Sequence, residues 1–170
     1  MTHQPQDDAE RCAHRSVATR LEFEQALREA FAETASFGCR DVWWLDEDFA
    51  AWPLNERGVV ETLTHWCAAH RKLTVVARGY DEVVRRHPRW VEWRRQWSHV
   101  VECRAVDETF AAPVPTLLLA ADRVAVHLAD PVRHRGALSR EPADLLRHRE
   151  CVDAVLQRSV ESFGATVLGL

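Results

Sequence analysis

The chain has 170 residues, of which 46% are hydrophobic and 28% charged, and its net charge is −4; these values are typical of one globular domain. No apolar run approaches the roughly 20 residues that cross a bilayer, and residues 1–19 lack the apolar core of a secretory signal. We therefore expect one cytoplasmic domain over residues 20–170, without membrane contact, behind a disordered N-terminal tail over residues 1–19.

The first half of the chain alternates helical and strand patterns. Apolar residues from Leu21 to Phe37 recur at intervals of three and four, which predicts an amphipathic helix that Gly38 ends. A short apolar strand, a second helix with Asn55 as its N-cap, and a second strand follow. These three elements are predicted over residues 41–46, 55–70 and 73–77. Alternation of this kind predicts parallel strands that are joined by helical crossovers.

An acidic cluster, Asp46-Glu47-Asp48, closes the first of these strands. Two interpretations are open. The carboxylates can face a cleft at the carboxyl end of the strand, or they can solvate the strand end and discourage aggregation. The second interpretation is favoured.

A basic and aromatic segment spans residues 71–104, where eight arginines and Lys72 face four acidic residues. Pro88 divides a helical pattern in this segment. Three tryptophans, Trp90, Trp93 and Trp97, share one face of the second piece. With the arginines they can form a stacking surface for bases or for a phosphate-bearing ligand. The favoured interpretation is that the stripe is core or a dimer face with arginine stems around its rim.

The second half of the chain contains three predicted strands and one long helix. The strands are predicted over residues 100–106, 116–121 and 124–128. The last two form a hairpin that turns at Asp122-Arg123. Pro142 can occupy the first turn of a helix, and the apolar pattern continues to Phe163. The apolar segment 166–170 is expected to dock on the domain.

The loop after this hairpin, residues 130–136, holds the densest set of side chains that can bind a ligand or take part in catalysis. Guanidinium groups bind phosphate oxygens in bidentate fashion and a histidine can share its proton near neutral pH, so we predict a site for an anionic ligand. Gly136 would let the backbone approach that ligand closely. In the alternative, which is favoured, the arginines pair with Asp130, Glu141 or Asp144 and only fix the loop. The candidate ligand-binding residues are His127, Asp130, Arg133, His134 and Arg135.

Segments spread over the chain carry a resemblance to a known family. They are Asp48-Phe49, Trp52-Pro53-Leu54, 73–78, 87–94, Trp97-Ser98-His99, 130–136 and Leu168-Gly169-Leu170. Together they resemble a family of small uncharacterised bacterial proteins, over a match from about Leu21 to the end of the chain. The resemblance implies a phospholipase D-like fold, an α/β sandwich with a mixed sheet flanked by helices. One chain would be a single half-unit that pairs with a second copy as a homodimer.

The resemblance also implies that phosphoryl-transfer chemistry has been lost. Catalytic members of the phospholipase D superfamily carry His-x-Lys-x4-Asp, in which the histidine attacks phosphorus, the lysine holds the phosphate oxygens and the aspartate orients the histidine. With Asp122 aligned to that acid, Pro115 stands at the nucleophile position and Leu117 at the lysine position. The small polar segment of active families falls on residues 129–132, which read Ala-Asp-Pro-Val.

Other cofactor and metal motifs are missing from the sequence. It contains no GxxxxGK[ST] or GxGxxG phosphate loop. Its five cysteines are widely separated and include no CxxC pair. We therefore expect neither a cofactor nor a structural metal.

Three functional hypotheses follow. The leading one is a non-catalytic phospholipase D-like domain that binds a ligand or a protein partner as a homodimer. The first alternative is a phosphodiesterase or transferase that uses His134 or His127 with Arg133 and Arg135. The second is a nucleic-acid-binding module that works through residues 71–104.

Overall fold

A computed structural model of the chain describes residues 13–68 and 70–164. These residues form a mixed sheet of eight strands flanked by five helices, which confirms the predicted α/β class. None of the helices in this part of the chain combines the length and the hydropathy that a membrane span needs. The strands are β1 (His14–Val17), β2 (Asp41–Leu45), β3 (Lys72–Ala77), β4 (Val101–Val106), β5 (Thr116–Ala120), β6 (Val124–Asp130), β7 (Arg135–Ser139) and β8 (Ser159–Glu161). The helices are α1 (Arg20–Phe37), α2 (Arg57–Trp66), α3 (Asp81–Arg86), α4 (Pro88–Gln96) and α5 (Pro142–Leu156).

The strands are arranged in the order β1-β7-β6-β5-β2-β3-β4-β8. The strands β2, β3 and β4 are parallel, as the alternation of helix and strand predicted. All other neighbours are antiparallel, including the predicted hairpin of β5 and β6. The parallel strands end together at one side of the sheet, which we call the carboxyl edge. Their beginnings form the amino edge.

Helices cover the two faces of the sheet unequally. Four helices, α1 to α4, pack on one face, where Phe23, Leu63 and Trp90 belong to the larger core cluster. The other face is covered by α5, whose Val152 joins Leu117 in a smaller cluster. We call these the four-helix face and the α5 face.

The ends of α1 follow from its sequence. Thr19 is extended, and its hydroxyl accepts a hydrogen bond from the Glu22 N–H at 3.1 Å. The Glu22 carboxylate reaches back and accepts from the Ala18 N–H at 2.7 Å. The arrangement is a variant of the capping box, in which the carboxylate accepts from the N–H one residue before the N-cap. Gly38 ends the helix with φ of 61°, as predicted, because glycine adopts the left-handed conformation without penalty.

The tryptophan stripe belongs to the core. Pro88 divides the helical pattern into α3 and α4, as predicted. Trp90 and Trp93 on α4 are only 1% and 3% exposed, and Trp97 packs against the same cluster. The stacking-surface interpretation is therefore wrong for Trp90 and Trp93.

Asn55 has a different role from the predicted one. The residue that precedes α2 is Glu56, and it makes no side-chain cap. The Asn55 Oδ1 instead accepts from the Arg89 N–H at 3.0 Å, in the first turn of α4. The sequence spacing predicted that Asn55 caps α2, the nearest helix, whereas in the folded chain its side chain meets the start of α4.

Two short strands correct the predicted ends of the domain. β1 lies inside the predicted tail, and its four residues pair antiparallel with β7. The tail prediction is wrong for residues 14–17, and residues 1–12 lie outside the described part. α5 ends at Leu156 instead of continuing to Phe163, and β8 follows it on the outer side of β4. Both strands are formed by pairing and not by a strong local pattern. The segment 166–170 also lies outside the described part.

Candidate functional site

A cleft of about 370 Å³ opens at the carboxyl edge of the sheet, beside the loop that follows β2. Val132 stands at its rim and is 90% exposed. The apolar lining residues are Phe23, Ala50, Ala51, Trp52, Pro113, Val114, Leu128, Pro131 and Val132. The polar lining residues are Asp46, Glu47, Asp48, Thr116 and His134. We call this cavity the carboxyl-edge cleft.

Asp46 holds the loop after β2 in place. Its Oδ1 accepts from the Thr116 hydroxyl at 2.5 Å, and its Oδ2 accepts from the Phe49 N–H at 2.7 Å. Burial raises the pKa of the Asp46 carboxyl, although both hydrogen bonds act to lower it. Because its oxygens are already engaged, Asp46 serves the loop and not a ligand.

Glu47 fixes a second wall of the cleft. Its carboxylate accepts from the Val114 N–H at 2.7 Å and pairs with the Arg78 guanidinium at 2.9 Å. Arg78 also donates to the carbonyl oxygens of Phe110 and Ala112, at 3.0 and 2.8 Å. These contacts tie the long connection between β4 and β5 to the end of β2.

Asp48 and His134 differ from the other polar lining residues. The Asp48 Oδ1 accepts from the Ala50 N–H at 2.9 Å, and no cation pairs with this carboxylate among the described residues. The His134 ring lies 6.2 Å from the Phe23 ring between centroids, and the described part of the chain offers it no hydrogen-bond partner. Both side chains are therefore available to a ligand in the cleft.

Two residues at this cleft adopt strained backbone conformations. Phe49, between Asp48 and the lining residue Ala50, has φ of 59°, and His134 has φ of 54°. Left-handed conformations of non-glycine residues cost free energy and occur often at binding sites. Their occurrence on two separate loops around one cleft favours a functional role for it.

His127 does not join the cleft. It lies opposite Leu117 and Ala137 in the sheet and contacts His148 of α5, with ring centroids 4.9 Å apart. His127 is therefore on the α5 face, whereas His134 contacts α1 on the four-helix face. Burial lowers the pKa of His127, and the nearby Arg147 charge lowers it further. The five predicted ligand-binding residues thus do not form one site.

The basic residues of the predicted loop are also dispersed. Arg133 pairs with Asp130 at 3.9 Å, and its N–H donates to the same carboxylate at 3.2 Å. This contact agrees with the alternative in which an arginine fixes the loop. Arg135 begins β7 and lies opposite Asp130 in the ladder. The loop is therefore a turn between two strands.

Gly136 is needed for contact between strands and not for approach to a ligand. A Cβ atom at this position would lie 1.9 Å from the His127 carbonyl oxygen and 2.7 Å from the Leu128 Cα. The register between β6 and β7 is irregular between Leu128 and Asp130. Glycine allows the two backbones to meet at this irregularity.

Most cations of the basic segment 71–104 are engaged in ion pairs, although its nine cations against four acids leave a net charge of +5. Arg85 and Arg86 both pair with Glu82. The further pairs that involve this segment are Arg95–Glu92, Arg104–Glu102, Lys72–Glu102 and Arg78–Glu47. Few of its cations are left free at the surface.

Sequence reasoning did not single out Asp48 as a site residue. The sequence feature that could have indicated Asp48 is the acidic cluster at the end of β2, because ligands of α/β proteins bind beyond the carboxyl ends of the strands. The partners that occupy Asp46 and Glu47, namely Thr116 and Arg78, are distant in sequence. No group of three or more histidine, cysteine or acidic side chains in the described part is arranged to hold a metal ion.

Comparison with known proteins reveals a similarity of fold. No family model matches the chain, and no curated protein matches it. The fold is similar to that of TrmBL2, an archaeal chromatin protein whose structure is described as showing a novel mode of DNA binding, with a TM-score of 0.61 and 12% identity. The match covers 95% of this chain and 56% of that chain, so the present chain spans little more than half of TrmBL2. At this identity the similarity concerns the fold alone.

Proposed function

We propose that this chain is a non-catalytic phospholipase D-like domain that binds a small ligand in the carboxyl-edge cleft and acts as a homodimer. The ligand class is an apolar, ring-sized body with one cationic or hydrogen-bond-donating group. One observation carries this proposal: an apolar cleft brings together Asp48 and His134, whose side chains have no polar side-chain partner in the described part of the chain.

The chemistry of the cleft supports this ligand class. Its volume of about 370 Å³ lies in the range of small-molecule sites. Exposed apolar side chains such as Val132 and Pro131 offer apolar contact, while Asp48 offers an acceptor with a negative charge in the lining. An apolar cation satisfies both features, because its body leaves water and its charge meets a carboxylate.

The positions of the catalytic motif support the absence of phosphoryl transfer. Leu117 is fully buried in the core of the α5 face, and Asp122 is exposed in the turn between β5 and β6. The sequence contains a single lysine, Lys72, which begins β3 at the amino edge and pairs with Glu102 at 3.3 Å. It therefore lies at the opposite end of the strands from His134.

Ligand binding can be tested with a pair of probes that share one ring and differ in charge. Tryptamine is cationic and indole-3-acetate is anionic. In titrations followed by amide chemical shifts, we expect tryptamine to bind more tightly and to perturb residues around Asp48 and Val132. The Asp48→Asn variant should lose the preference for the cation, because the carboxylate charge is removed.

The matched control is Glu61→Gln, which removes an exposed carboxylate on α2 outside the cleft. It should leave the preference unchanged. Equal binding of the two probes by the natural chain, or an unchanged preference in Asp48→Asn, would contradict the proposed ligand class.

The non-catalytic part of the proposal requires an activity assay. Bis(4-nitrophenyl) phosphate should not be turned over by the natural chain. Turnover that disappears in His134→Ala or His127→Ala would instead establish the phosphodiesterase alternative.

The homodimer is supported by the uneven cover of the sheet. On the α5 face, Asp41, Trp43 and Arg104 line an open cavity together with Arg149 of α5. The Arg149 guanidinium lies 4.1 Å from the centre of the Trp43 ring. A patch with charges of both signs can meet its own copy across a two-fold axis. Sedimentation equilibrium should show a dimer that Arg149→Glu weakens, and a natural chain that stays monomeric would contradict this part.

Nucleic-acid binding through residues 71–104 is the second candidate. It is favoured by the similarity of fold to TrmBL2, a protein described as binding DNA. The ion pairs within the segment leave it fewer free cations than its composition indicates. A fluorescence-anisotropy titration should therefore show weak binding whose affinity falls steeply with salt. If this surface binds, Arg85→Gln and Arg86→Gln will weaken binding.

A further inference from the structure

A second cavity, of about 470 Å³, lies at the amino edge of the sheet, at the opposite end of the parallel strands from the carboxyl-edge cleft. Its polar lining is predominantly basic. It includes Arg71, Lys72, Arg94, Ser98 and His99. We call it the amino-edge cavity.

Arg94 is a buried cation whose charge is not compensated. The residue is 5% exposed, and its Nη1 is buried with no hydrogen-bond acceptor. No carboxylate among the described residues lies within ion-pair distance of its guanidinium. Removal of a charge from water without a partner is strongly unfavourable. The folded chain therefore presents an unmet requirement for an anion beside this cavity.

The neighbours of Arg94 do not supply that anion. Its Nε donates to the Cys103 Sγ at 3.2 Å. Burial raises the pKa of the Cys103 thiol, so the sulfur stays protonated and neutral, although Arg94 opposes this shift. The Phe163 ring lies 5.8 Å from the guanidinium carbon. Phe163 reaches this position with φ of 47°, a strained conformation that is held by stacking on Tyr80 at 4.8 Å.

Arg71 repeats the pattern in the same lining. Its Nε is buried and has no acceptor. Its Nη2 lies 2.6 Å from the place that a Cβ atom of residue 38 would occupy. Gly38 therefore makes room for this guanidinium as well as ending α1. Two arginines with unmet donors thus line one cavity, one just before β3 and one on α4.

The acidic residues at the cavity do not cancel this charge. Glu102 lines the cavity, but it is bound to the Arg104 guanidinium at 2.7 Å and to the Lys72 Nζ at 3.3 Å. Glu161, the other acid in the lining, is an exposed residue of the edge strand β8. Neither carboxylate lies within ion-pair distance of Arg94 or Arg71 in the described part of the chain.

We propose that the amino-edge cavity binds a small molecule through a phosphate or phosphate monoester group, held by Arg94 and Arg71 with help from Lys72 and the Ser98 hydroxyl. Guanidinium groups bind phosphate oxygens in bidentate fashion, and two guanidiniums match a phosphate dianion better than a single carboxylate charge. Because Arg94 is buried, the group that reaches it is a terminal phosphate and not the backbone of a nucleic acid. This site is independent of the carboxyl-edge cleft.

The test measures binding of three anions to the full chain by calorimetry, at one ionic strength set with chloride. Inorganic phosphate and phenyl phosphate are the probes, and benzoate is the carboxylate of matched ring size. We expect both phosphates to bind and benzoate to bind at least about tenfold more weakly, in line with the loss of a charged hydrogen bond. Equal binding of benzoate, or no binding of phosphate above the chloride background, would overturn the proposal.

Variants locate the site. Arg94→Met should weaken phosphate binding by about tenfold or more, whereas Arg95→Met, the adjacent residue in an exposed pair with Glu92, should not. Without phosphate, Arg94→Met should melt at the same or a higher temperature than the natural chain, because an uncompensated buried cation is replaced by an apolar side chain. A purely structural Arg94 predicts the reverse, with a lower melting temperature and intact phosphate binding, and that result would refute the assignment. Lys72→Gln, an exposed change, should also weaken binding if Arg94→Met does not fold.

Discussion

The contact between His127 and His148 predicts that the domain loses stability in mild acid. Burial lowers the pKa of His148 from 6.5 to about 4, and the neighbouring His127 and Arg147 act in the same direction against Asp144. The unfolded chain therefore binds more protons than the folded chain between these two values. The contribution of neutral His148 to the unfolding free energy is therefore present at pH values above 6.5 and is lost as the pH falls toward 4.

The size of this loss can be worked from the same values. A single histidine with a pKa of about 4 in the folded state would cost about 2 kcal/mol of unfolding free energy between pH near 7.5 and pH near 5. His148 is only partly buried, so solvent screening reduces the expected loss to about 1 kcal/mol. Carboxylates contribute little in this window because most of them titrate below it.

Urea unfolding followed by circular dichroism, at several pH values between about 7.5 and 5, measures this loss. His148→Gln removes the titrating group and should flatten the dependence by about 1 kcal/mol. The matched control is His65→Gln, an exposed histidine on α2, which should reproduce the natural profile. If His148→Gln loses as much stability as the natural chain over this range, the buried pair is not the cause.

Three further predictions test the packing that positions the two cavities. Gly136→Ala should lower the unfolding free energy by at least about 2 kcal/mol because the new Cβ meets backbone, whereas Gly58→Ala, in open space on α2, should raise it by about 0.5 kcal/mol in the same urea titration. Trp90→Ala should cost about 3–5 kcal/mol and broaden the amide spectrum, and a loss below about 1 kcal/mol would remove this residue from the core. Arg78→Met should speed hydrogen exchange in residues 107–115 without global unfolding, and unchanged exchange would show that this wall of the cleft is held by other contacts.

Local patterns predicted most of the fold. The periodicity of α1, the left-handed position of Gly38 and the start of α4 at Pro88 all depend on residues close in sequence, and the structure confirms each of them. β1 and β8 could not be predicted in this way, since they are held by partners far along the chain. Their own sequences are too short and too polar to indicate a strand.

The five predicted ligand-binding residues do not lie together, for a geometric reason. Successive strand residues point to opposite faces, so nearness in sequence did not place His127 and His134 together. His127 contacts α5, while His134, in the turn after β6, contacts α1. The acidic cluster indicated the position of the cleft better than the basic loop did. The topology of a parallel sheet brings the carboxyl ends of its strands to one edge, however far apart they are in sequence.

The helical periodicity of α4 could also have predicted that Arg94 is buried. Trp90, Trp93 and Trp97 define the buried stripe of α4, and residue 94 lies four positions after Trp90, on that same stripe. Charge counting treated Arg94 and Arg95 as one basic surface, whereas helical geometry separates them by about 100°, and the structure buries the first and exposes the second. An arginine on an apolar stripe is a buried charge, and a buried charge requires an opposite one. The described part of the chain provides no carboxylate within ion-pair distance of Arg94, and this unmet charge is the reason to look for a bound anion at the amino-edge cavity.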